Sequence, residues 1–275
     1  MSIIRSWALA LSAAVVVSTG CMSGSSRQTT AGSLDRILAG NHRSEQNRAR
    51  DVYRHPKETL LFFGVRPESH VVEVWPAGGW YTEVLAPLVR EKGRYYAASF
   101  APDPDSPYIN RVAAEYRAKL ASRPELYDKV VVTAFSRAGA EIAPAGSADL
   151  VLTFRNLHSW LEEGWAPESI ALMYKALKPG GVLGVVDHRA RAGAPVEPTA
   201  RNGYVDETYA IKLIEAQGFK LAAKSEINAN PRDTKDYEQG VWTLPPTYRL
   251  GDKDREKYAA IGESDRFTLK FVKPQ

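Results

Sequence analysis

Residues 71–89 read VVEVWPAGGWYTEVLAPLV, and no other stretch limits the fold so tightly. Apolar residues surround one acid, Glu73, and a turn of small residues follows. Apolar side chains then recur at 84, 85, 88 and 89, a helical spacing, with Pro87 expected to kink the helix. A short apolar strand thus feeds a turn and a helix N-terminus. A strand with no polar alternation is buried on both faces, as in a parallel sheet covered by helices.

The rest of the chain repeats this alternation. GRYYAASF, DKVVVTAF, ADLVLTFRN and VLGVVDHR read as strands two to five, FKLAAKSEI and RFTLKFVK as the last two. Helical patterns over 80–90, 108–122, 167–177 and 205–217 lie between them. KPGG is a turn before strand five, and Gly218 a helix stop. Helical patterns also precede strand one, from Leu34. The expectation is a doubly wound, mostly parallel α/β sheet of seven strands, with the last one antiparallel. Such sheets bind ligands outside the carboxyl ends of their strands. The windows to inspect are therefore 73–79, 99–103, 155–158 and 187–189. A connection over about 228–264 separates the last two strands, far longer than a hairpin needs. It begins and ends on the ligand side and carries Trp242, Pro245, Pro246 and Tyr248, so it should cap the pocket.

The first residues have another design. Arg5 precedes an apolar run over 7–17, and STGC follows. This is the layout of a secretory signal peptide, too short to span a membrane. Its end resembles a bacterial lipoprotein signal, with Cys21 as the lipidated residue, although Ser18 stands where that signal prefers Leu. The division expected is a leader over 1–21, a flexible polar tether over 22–33 and one domain over 34–275. The chain would be exported to the periplasm or cell envelope and touch membrane only through its lipid. One cysteine allows neither an internal disulfide nor a Cys-based zinc site. A net charge of +4, with basic residues scattered beside acids, gives no nucleic-acid footprint.

The order of these segments resembles the class I S-adenosylmethionine-dependent methyltransferases. VVEVWPAGGWYT stands where that family has an acid and a glycine-rich turn, LKPGGVLGVVDHR at its fifth strand, and LIEAQGFKL at its last helix and sixth strand. WPAGGWYTE, LTFRN and GVWTLPP are similar to a group of exported bacterial methyltransferase-like proteins. The resemblance implies a Rossmann-like fold, S-adenosyl-L-methionine as cofactor and a small-molecule acceptor. It implies cofactor contacts from Glu73, Ala77, Gly78, Gly79, Ser99, Arg155 and Asn156. Two departures stand out. Trp75 and Ala77 occupy glycine places, and Ser99 stands where the family carries the acid that holds the ribose, with Asp103 as a substitute if its loop folds back. The competing reading is an envelope protein that binds a ligand on this fold without catalysis.

His158 and His188 follow central strands, and either could take a proton from a nucleophile. Asp187 should point to the face opposite its neighbour His188 and orient another group. Arg155 could hold a substrate carboxylate or phosphate, or pair with Glu73 or Asp187. Tyr53, Trp80, Tyr81, Trp242 and Tyr248 are the candidate substrate contacts. No metal is assigned, because no helical His-x-x-x-His or tight ligand cluster is visible.

Overall fold

The computed structural model describes residues 24–137, 141–193, 195 and 200–275. The leader and Cys21 lie outside the described residues. The strands are β1 His70–Val74, β2 Arg94–Phe100, β3 Val131–Phe135, β4 Ala148–Phe154, β5 Leu177–His188, β6 Lys220–Ser225 and β7 Arg266–Val272. They form one sheet in the order β3-β2-β1-β4-β5-β7-β6. β1 to β5 pair in parallel, and β7 runs antiparallel to both neighbours. The expected seven-stranded, mostly parallel sheet is therefore present. KPGG lies within β5 as a bulge: Leu177 pairs with Ala148 and Val182 with Leu150, so four residues stand out of register.

Before β1 come the helices α1 Gly24–Leu38, α2 Glu45–Arg48, α3 Asp51–Arg54 and α4 Pro56–Phe63. α5 Thr82–Val89, α6 Pro107–Ser122, α7 Pro124–Tyr127, α8 Leu157–Glu162, α9 Ala166–Ala176 and α10 Glu207–Ala216 follow between strands. α11 Arg255–Ile261 lies in the long insertion. α5 is shorter than its apolar pattern suggested, with Pro87 near its end. Among the described residues, no helix is long and apolar enough to cross a membrane.

Alternate residues of each central strand enter opposite cores. Val71, Tyr95, Ala97, Leu150 and Leu152 pack with Leu34, Leu60 and the apolar face of α5. Val72, Val74, Ala98, Val151 and Leu183 pack with Trp160, Ile170, Met173 and Ile214. The period-two geometry of a strand thus gives two apolar faces, which explains the absence of polar alternation. Most of the expected tether is helical instead. α1 buries Thr30 and Leu34, four residues apart on one face, and packs on α4 and α5. That burial outweighs the weak helix propensity of its Gly, Ser and Thr residues.

Candidate active site

β1 has its neighbours β2 and β4 on opposite sides, so the crevice of this sheet opens at the carboxyl ends of β1 and β4. A cavity of about 1130 Å³ lies there, large beside the roughly 300–1,000 Å³ of ordinary ligand pockets.

One set of lining side chains is aromatic. Trp75 leaves β1 with φ 48°, and Ala77 has the same φ, so neither takes the negative φ that would make Ala77 a cheap replacement for glycine. Left-handed backbone at non-glycine residues costs roughly 1–2 kcal/mol each. Packing of the indole offsets this at Trp75. Its ring stacks on Phe100 at 4.6 Å and meets Phe135 and Trp165 at 5.8 Å each. Its Nε1 donates to the Phe135 carbonyl at 3.2 Å. Asp103 and Ser136 line the cavity beside these rings.

A second set lies around the ends of β4 and α3. Tyr81 stacks on Phe154 at 3.7 Å, and Trp80 lies under Arg54 at 4.6 Å. Trp80 Nε1 donates to the Asn47 carbonyl at 3.0 Å, fixing the N-terminal helices to the turn. Burial pushes the Tyr81 hydroxyl up to about 12, so it stays protonated. Glu73 accepts from the Tyr95 hydroxyl, and burial pushes its carboxyl up to about 7. Asn156 Nδ2 donates to the Val74 carbonyl at 2.9 Å and to Thr153 Oγ1 at 3.1 Å, tying the ends of β1 and β4 together.

His158 is the second residue of α8 and lines the cavity. Its Nδ1 lies 2.9 Å from Asp187 Oδ1, and its backbone N–H donates to Asp187 Oδ2 at 3.2 Å. Asp187 therefore orients His158, with the proton on Nδ1 and the Nε2 lone pair free. Trp242 stands over this group, its ring 6.1 Å from that of His158.

The structure brings Glu73, Ala77, Trp80, Tyr81, Arg155, Asn156, His158 and Trp242 to one cavity. Six other candidates lie elsewhere. His188 is not on the cavity wall: its ring sits 5.2 Å from that of His158, and its Nδ1 is 2.5 Å from Ser264 Oγ. Burial, then His158 and three arginines, hold His188 well below its ordinary pKa. Ser99 is buried on the Ala97 face, and strand alternation sends Phe100 to the cavity in its place. Gly78 gives its carbonyl to Lys119, and Gly79, φ 73°, packs against Tyr116 and Lys119; an added Cβ would lie 3.1 Å from both side chains. Tyr53 packs beside Gly262 and lines a separate groove near Asn228. Tyr248 lies under the Arg255 guanidinium at 3.9 Å.

Several participants carried no signal in the sequence. Arg54, buried at the end of α3, lines the cavity. Glu263 is buried as well and accepts from Arg50 Nε at 2.5 Å, Arg54 Nε at 3.3 Å and Arg266 Nη2. Among the described residues, His158, Asp187 and His188 bring ligand atoms within 4.8 Å of one another. This spacing suits a metal. Yet both Asp187 oxygens already accept N–H groups, and Arg54, Arg155 and Arg266 crowd the same region with positive charge.

The strand order and the cavity at its switch point define the Rossmann-like fold of class I methyltransferases. Among solved structures, the chain is similar to an S-adenosylmethionine-dependent methyltransferase from Aquifex aeolicus, at 16% identity and TM-score 0.56, over 82% of this chain and 93% of that one. It is similar to the [4+2]-cyclase SpnF at 17% identity and TM-score 0.54, over 90% and 96% of the two chains. It is also similar to a Burkholderia thailandensis 1,6-didemethyltoxoflavin-N1-methyltransferase with bound S-adenosylhomocysteine, at 13% identity and TM-score 0.52, over 90% and 87%. No family model and no curated protein sequence matches the chain.

Proposed function

We propose that the chain transfers a methyl group from S-adenosylmethionine to a small molecule. The observation that carries this reading is the cavity at the β1/β4 switch point, with aromatic walls on one side and an oriented His158 on the other. Its donor set fits the cofactor. Trp75, Phe100 and Phe135 offer ring surface to a purine, and Asp103 offers a carboxylate to ribose hydroxyls where Ser99 does not. The bound cofactor would supply an electrophilic methyl group. The chain's part is to hold the acceptor in line, exclude water and take a proton at His158 Nε2, with Asp187 fixing the tautomer. Two of the similar structures are named as methyltransferases and one holds S-adenosylhomocysteine, in agreement with this reading.

Calorimetry should therefore show the full chain binding S-adenosylhomocysteine with a micromolar dissociation constant, on the order of −8 kcal/mol. Absence of heat or of a thermal shift at millimolar ligand would reject methyl transfer. It would favour the second reading, a ligand-binding envelope protein, which rests on the replaced turn at Trp75 and Ala77. The similar structure named as a cyclase supports a different use of the same fold.

The leader-like segment supports a companion proposal: export, with a lipid anchor on Cys21, as in the exported group that WPAGGWYTE and GVWTLPP resemble. Export would place the chain where the cofactor is not made, a circumstance that favours the second reading. In a Gram-negative host the wild type should fractionate with membranes. Cys21→Ala should appear as soluble protein or uncleaved precursor, and an unchanged distribution would reject the anchor.

A further inference from the structure

Arg155 is a costly residue in its place. It leaves β4 with φ 61°, a left-handed conformation that a long side chain rarely adopts. Its guanidinium lines the cavity and, among the described residues, makes no hydrogen bond and no ion pair. Neither Glu73 nor Asp187 pairs with it. Arg54 lines the cavity alongside and gives only Nε to Glu263. Four guanidinium groups, those of Arg50, Arg54, Arg155 and Arg266, act on the carboxylate of Glu263, so they outnumber it at this corner. The other acids on the cavity wall are Glu73, Asp103 and Glu163. Glu73 is neutral over much of the range below pH 7, Asp103 lies with the aromatic set, and Glu163 accepts from Trp165 Nε1 at 2.7 Å. Arg155 favours the ionised form of Glu73, but among the described residues none of the three acids forms an ion pair or hydrogen bond with the Arg155 guanidinium.

Arg155 is half-buried at the cavity wall, so its guanidinium is partly withdrawn from water yet open to a ligand. Its fork matches a carboxylate or phosphate with two parallel hydrogen bonds. Arg54, Arg155 and His158 line the same cavity, so an anion held by the arginines belongs to a molecule that shares its space with the base. We propose that the Arg54–Arg155 corner binds an anionic group of the methyl acceptor, and that the acceptors are small molecules bearing a carboxylate or phosphate. This rests on the methyl-transfer reading, with the cofactor occupying the aromatic side of the cavity.

The test uses benzoate and inorganic phosphate as probes on the full chain, with and without saturating S-adenosylhomocysteine. At least one probe should bind the wild type at millimolar concentration in the presence of S-adenosylhomocysteine. Arg155→Met should lose about tenfold or more of that affinity, the size of one charge-assisted contact. Arg155→Lys, which keeps the charge and loses the fork, should lie between. S-adenosylhomocysteine affinity should be unchanged in both variants, and Arg155→Met should melt no lower than the wild type, since it removes a repelled charge. The proposal is overturned if neither probe binds, if Arg155→Met binds the probes as the wild type does, or if S-adenosylhomocysteine displaces them. Displacement would assign the corner to the cofactor's own carboxylate. A wild type that ignores S-adenosylhomocysteine but binds anions through Arg155 would reject methyl transfer while leaving the anion site in place.

Discussion

Glu263→Ala should cost the fold about 3–5 kcal/mol, the range for removing one partner of a buried ion pair. Glu263 is 3% exposed and is the only carboxylate that bonds Arg50, Arg54 and Arg266 among the described residues. Its loss leaves Arg50, Arg54 and Arg266 without the carboxylate they share, and Arg54 is the one of the three that lines the cavity. Burial alone would raise the Glu263 pKa, but Arg266, Arg54, Arg50 and Arg155 outweigh it and hold the group far below its ordinary value of 4.5. A carboxyl depressed in the folded state stabilises the fold above its unfolded pKa, and that stability drains away as pH falls below about 4.5. Urea melts of the wild type should therefore lose more stability between pH 5 and pH 3, about two pH units, than melts of Glu263→Gln. Arg155→Met should recover part of the loss in Glu263→Ala, because both changes act on one charge cluster. A Glu263→Ala protein as stable as the wild type would refute this account of the corner.

This cluster also shows where reading the sequence ends. The strands announced themselves, because a buried parallel strand has to be apolar on both faces, and the windows after β1 and β4 hold Glu73, Arg155, Asn156 and His158, all on the cavity wall. The insertion after β6 was legible for the same reason: β6 is parallel to β5, so its carboxyl end starts on the ligand side, and Trp242 does reach the cavity. Glu263 and Arg54 meet across 209 residues of chain, and neither has a local pattern that would couple them. Ser99 was misplaced by one residue, which on a strand means the wrong face. Tyr248 shares the insertion with Trp242 but lies under the Arg255 guanidinium, off the cavity wall. Ala77 stands at a glycine place, and the turn's backbone holds it at φ 48°, a value that the residue type does not announce.

His158→Ala should lower kcat by about 10²–10⁴, the usual worth of a positioned general base, for any acceptor whose nucleophile carries a proton. The geometry separates this residue from its neighbour. His188 is buried, its Nδ1 engages Ser264, and the arginines oppose its protonation, so it is a poor proton acceptor for a ligand in the cavity. His158 lines the cavity while Asp187 accepts at its Nδ1, which leaves Nε2 as the nitrogen without that partner, and the backbone N–H groups of His158 and His188 lock the carboxylate in place. A hydrogen-bonded carboxylate behind an imidazole fixes the tautomer and stabilises the imidazolium formed when the proton arrives. Asp187→Asn should accordingly reproduce much of the loss in kcat while leaving the His158 ring present. Affinity for S-adenosylhomocysteine should change little in either variant, because the aromatic side of the cavity is untouched. His158→Gln controls for packing, since it fills similar space and cannot accept the proton in the same way. If His158→Ala kept kcat within about tenfold of the wild type, the residue would be a wall of the pocket, and catalysis would rest on positioning alone.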